Sequence, residues 1–85
     1  MDIKEIREIA KKYTPEQIEG CITQQLETGK NICIENQDTV KILNDLSQAE
    51  FVRELMKEGM SLADALRELA RRVRRLLDGE HKKYA

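Results

Sequence analysis

The stretch Ser61–Leu77 constrains the fold more than any other part of the chain. Leu62, Ala63, Leu66, Leu69, Ala70, Val73, Leu76 and Leu77 recur at helical spacing and form one broad apolar stripe. Asp64, Arg67, Glu68, Arg71, Arg74 and Arg75 occupy the opposite face. Ser61 stands at an N-cap position, and Asp64 three residues on has the spacing of a capping box. Gly79 follows the last periodic residues, where a left-handed stop costs least. A helix over residues 62–78 is therefore expected to be the main wall of the core.

The remaining chain reads as shorter helices that pack on this one. Asp2 and Glu5 have capping-box spacing, and Ile3, Ile6, Ile9, Ala10 and Tyr13 share one side, so a helix is expected over residues 3–12. Thr14-Pro15-Glu16-Gln17 is a cleaner start signal: a cap, a proline where no N–H is needed, and a glutamine to close the box. The helix it opens should run over residues 15–28 and stop at Gly29. Its stripe is Ile18, Cys21, Ile22, Gln25 and Leu26. Residues 30–37 read as a loop that tucks Ile32 and Ile34 inward.

Residues 38–58 carry two conflicting patterns. Val40, Ile42, Leu43 and Leu46 lie on one half of a helical wheel, and Phe51, Val52, Leu55 and Met56 lie nearly opposite. Ser47 and Glu50 again have capping-box spacing, which favours a break near Leu46-Ser47 and separate helices over 38–46 and 48–58. The alternative is one long helix buried from two sides. Gly59-Met60-Ser61 makes the last tight connection. The expected fold class is all-α, a small bundle of four or five short antiparallel helices. Residues 1–79 would form a single domain, and residues 80–85 a fraying tail.

An 85-residue chain makes a thin core, and small domains often complete theirs with a partner subunit. Charge is unevenly spread. Residues 1–60 hold 12 acidic and 8 basic side chains, a balance of −4, and residues 61–85 hold 4 and 7, a balance of +3. That split suits an acidic partner on the C-terminal helix, or a second copy of the chain placed head to tail. The two cysteines, Cys21 and Cys33, are too few for a disulfide scaffold and are not spaced as a CxxC pair. With no apolar run of signal-peptide or membrane type, a reducing cytoplasm is the expected compartment. Cys21 is then read as a small core hydrophobe, and no disulfide is expected.

Little in the sequence points to chemistry. His81 is the only histidine and lies in the expected tail, where nothing would hold it as a base. No pair among Cys21, Cys33 and His81 has the short spacing of a zinc site, and the glycines do not form a phosphate loop. The expectation is no enzyme, no metal and no cofactor. The function ranked first is a non-catalytic interaction or assembly module that self-associates, as a homodimer or with another protein. Gln25, inside an apolar stripe, reads first as a side chain that bends outward or bonds a loop backbone; otherwise it is a candidate for that contact together with Ile42, Leu46, Phe51 and Met56. Arg67, Arg71, Arg74 and Arg75 form a candidate partner-binding face. The alternative is a helix-turn-helix nucleic-acid-binding regulator using residues 47–77, though Asp64 and Glu68 dilute its basic face.

Overall fold

The computed structural model describes residues 3–35 and 38–83, with side chains through residue 76. Four helices follow in order: α1 (Ile3–Lys12), α2 (Pro15–Thr28), α3 (Thr39–Lys57) and α4 (Leu62–Lys83). There is no strand among the described residues. The expected starts hold where local chemistry specifies them. Thr14 Oγ1 accepts from the Gln17 N–H at 3.2 Å, and the Gln17 side chain accepts from the Thr14 N–H at 2.9 Å. Gly29 closes α2 in the left-handed region, φ 78°, with its N–H on the Gln25 carbonyl. Ser61 Oγ accepts from the Asp64 N–H at 3.1 Å. The return bond of that box is not used, because Asp64 pairs with Arg67 instead. Asp2, the cap expected for α1, lies outside the described residues, as do Asn36, Gln37, Tyr84 and Ala85.

The centre of the fold is α3, not α4. All three other helices pack against it, whereas α4 meets α3 and, to a lesser extent, α1. This corrects the expected break at Leu46-Ser47: α3 runs unbroken for 19 residues. Apart from Val40, which is exposed at the start of the helix, the two opposed apolar patterns are covered because the helix has neighbours on both sides. Ile42, Leu46, Ala49 and Val52 are buried. Phe51, Leu55 and Met56 are half-buried and pack against that core. A helix so placed needs no polar stripe of its own. One carboxylate breaks the apolar run. Asp45 is fully buried, neither of its oxygens accepts a hydrogen bond, and Lys41 Nζ lies 3.6 Å away.

The fourth helix contributes Ala65 and Leu69 to the core, with Leu62, Leu66 and Val73 packed against its edge. It continues past Gly79 to Lys83, beyond the stop expected near residue 78. One glycine inside a helix costs only about 1 kcal/mol, which the helix-forming residues around Gly79 offset. The molecule is flat, with extents of 41 × 31 × 18 Å. It is thus about two helix layers deep along its shortest axis.

Candidate interaction surface

The four arginines proposed as a partner-binding face are all exposed on α4, but they are not equivalent. Arg67 Nη1 binds Asp64 Oδ1 at 2.7 Å, and Arg71 pairs with Glu68. Both pairs are short-range helical ones, and they neutralise half of the face within the chain itself. Arg74 and Arg75 carry no such pairing to a described side chain. Arg72, which the sequence pattern did not single out, lies with its guanidinium carbon 4.4 Å from the Phe51 ring centroid. It pins α4 to α3 by a cation–π contact.

The residues proposed for self-association separate into two groups. Gln25, Ile42 and Leu46 are buried inside the chain and offer no surface. Gln25 is fully employed there: its Nε2 donates to Thr39 Oγ1 at 3.1 Å, and its Oε1 accepts from Asn31 Nδ2 at 2.8 Å. A buried amide in an apolar stripe is thus explained by its own chain. Phe51 and Met56 remain half-exposed, Phe51 beside Arg72. Met56 lines a cleft of about 330 Å³ with Pro15, Met60 and Leu62, rimmed by Arg53, Lys57 and Glu16. Lys57 and Glu16 bridge it at 3.3 Å.

Two features carry signals that sequence reasoning passed over. The first is a disulfide between Cys21 and Cys33, whose Cα atoms lie 6.1 Å apart. It corrects the expectation of free cysteines. After Gly29 the chain doubles back along α2, and Asn31 fixes the turn by accepting the N–H groups of Cys33 and Ile34 at 2.9 and 2.8 Å. That brings Cys33 over Cys21. The same turn buries Ile34 but leaves Ile32 at 78% exposure, so only one of the two isoleucines tucks inward. The second feature is acidic. Glu50 of α3 shares a hydrogen bond with Glu19 of α2, and its pKa is pushed up to about 7. Burial is the largest cause, followed by the Glu19 bond and by repulsion from Glu19 and Glu54.

A protein-family model described as "Family of unknown function (DUF6952)" matches residues 1–78. The chain belongs to that family. No significant match is found among curated proteins or among solved structures. The family match includes the whole of the described core, the disulfide and the exposed part of α4 through Val73 and Leu76.

Large apolar side chains are exposed singly at Ile3 of α1, Ile32 of the turn and Val40 of α3, and in groups on α4 and α2. On α4, Ala63 and Ala70 are exposed, Leu66 and Val73 are half-exposed, and Leu76 is 63% exposed. Ala63, Leu66, Ala70 and Val73 alternate spacings of three and four, the pattern of a helix–helix seam. On α2, Leu26 is 65% exposed and Ile22 half-exposed, and Glu19 follows the same helical face. Among the described residues, no group of His, Cys, Asp and Glu is arranged to hold a metal ion. No described helix is long and apolar enough to cross a membrane.

Proposed function

We propose that this chain is a non-catalytic protein-interaction module that self-associates. One observation carries the reading: the apolar stripe of α4 is broader than the surface its own chain covers. Ala65 and Leu69 face inward and are fully buried, while Leu66, Ala70, Val73 and Leu76 keep exposed surface beside them. A contiguous apolar strip at helix-seam spacing on a thin domain is the usual mark of a protein contact. The nucleic-acid alternative draws less support, because Arg67 and Arg71 are engaged by Asp64 and Glu68. Light scattering across a wide concentration range tests the proposal. The expected result is a mass that rises above the 9.9 kDa of one chain. A constant single-chain mass at every concentration contradicts it.

The compartment follows from the state of the cysteines in the cell. Paired sulfurs belong to an oxidising compartment, and two free thiols to the cytoplasm. Thiol alkylation at the moment of lysis reads which state holds.

A further inference from the structure

We infer that the chain associates with itself head to tail, the open seam of α4 in one copy seating on the α2–α3 face of the next around Ile22 and Leu26. This rests on the self-association proposed above and specifies its two surfaces. Ala63, Leu66, Ala70 and Val73 form a shallow strip with small residues at alternate positions, so a facing helix can approach closely. By helical spacing, Arg67 and Arg74 border the strip on the side away from α3; Arg67 is paired with Asp64, whereas Arg74 has no carboxylate partner among the described residues. The seam is therefore apolar with a basic margin.

That margin argues against two copies of α4 meeting face to face. An antiparallel pairing of the same seam sets Arg74 of each copy against an α4 whose described carboxylates, Asp64 and Glu68, are already paired with Arg67 and Arg71. The complementary surface lies elsewhere on the same chain. Ile22 and Leu26 stand on one side of α2 with Glu19, and Glu19 meets Glu50 of α3 with Glu54 close by. These carboxylates crowd one another, and Glu50 holds its proton to about 7 instead of finding a cation. A basic margin laid across them relieves that repulsion. The charge balance of the two parts of the chain, −4 and +3, has the same sense. A head-to-tail contact of this kind uses two different surfaces, so it propagates until a ring closes or an open chain forms.

Two blocking variants and their mixture test the inference by light scattering. Ala70→Arg places a bulky cation in the seam, and Leu26→Lys places one on the acceptor face. Both positions are exposed, and both replacements are good helix formers, so each variant should keep its helical circular dichroism. The wild-type chain should grow in mass with concentration and shrink again as salt screens the charges. Each variant alone should stay at 9.9 kDa. An equimolar mixture should form a one-to-one complex of twice that mass, because each variant supplies the surface the other lacks. If the wild type associates and Leu26→Lys alone associates equally well, the contact is not head to tail and the inference is overturned, while self-association stands. A mixture that stays monomeric beside an associating wild type also overturns it. A wild type that is monomeric throughout overturns the self-association reading, and the inference with it.

Discussion

The two longest helices, α3 and α4, are built on opposite plans. In α4 the apolar and charged residues are cleanly separated, yet part of the apolar side stays bare. In α3 apolar residues point nearly all round, and almost all are covered. Amphipathic contrast therefore measures how many sides of a helix have neighbours; it does not measure how central the helix is. The clearest helix in the sequence forms the edge of this domain, and the most ambiguous stretch forms its axis. The same contrast separates stability from binding. Changes to α3 should act on folding, and changes to the outer side of α4 should act on association.

The largest expected effect is on the axis. Leu46 of α3 is fully buried, and Leu46→Ala should cost about 4 kcal/mol, in the upper part of the usual range for leucine truncation. Leu69→Ala on α4 should cost less, about 2–3 kcal/mol, because an edge helix relaxes more readily around the gap. Denaturant melts of the two variants measure the difference, and a costlier Leu69→Ala would reverse the assignment of axis and edge.

Reduction of the Cys21–Cys33 bond comes next. Freeing a loop of this length costs about 3 kcal/mol in the chain-entropy model. Core amides that exchange only through global unfolding, such as that of Leu69, should accelerate by the corresponding factor, and the Cys33 and Ile34 amides, which Asn31 holds, should also open locally. A Leu69 amide that exchanges at the same rate after reduction would show that the bond does not act on global stability.

Glu50 gives a smaller, pH-dependent effect. Its pKa in the fold is about 7 against an ordinary 4.5, so its contribution to stability is complete below pH 4.5 and lost as pH rises through 7. Above that, the ionised carboxylate is disfavoured beside Glu19 and Glu54. Glu50→Gln should therefore stabilise the protein at pH 8 by about 1 kcal/mol, a value reduced from the full linkage because the pair reaches solvent. Near pH 4.5 the variant and wild type should melt together. A gain that persists unchanged at low pH would assign the effect to packing.

The smallest expected change is on the open side of α4. Ala70→Arg should alter the stability of the single chain by less than about 0.5 kcal/mol, as surface replacements do. A large loss in dilute solution would mean that the strip is covered within the chain.

Much of the fold was legible because local chemistry specifies it. The Thr14–Gln17 box, Pro15, Gly29 and Ser61 mark helix boundaries through interactions within a few residues, whereas the Asp38 cap of α3, which accepts from the Val40 and Lys41 N–H groups, was not read from the sequence. The continuity of α3 was not legible in the same way. Ser47 and Glu50 have the spacing of a cap, but tertiary burial on both sides outweighs that local option, and Glu50 meets Glu19 instead. Of the surface proposed here, the basic residues and the seam spacing of α4 are visible in the sequence. Which half of the stripe stays bare depends on how α3 packs against it. The same holds for Gln25, whose partners Thr39 and Asn31 belong to other segments, and for Cys21, which meets Cys33 only because the chain turns back at Asn31.

The most direct measurement is the amide chemical-shift map of the uniformly labelled chain as it is taken from dilute to concentrated solution. Shifts that move with concentration at residues 63–76 of α4 and at residues 19–26 of α2, with those of buried α3 residues such as Leu46 unchanged, are the predicted result. Spectra independent of concentration, or changes confined to the Met56–Met60 cleft, would contradict the account.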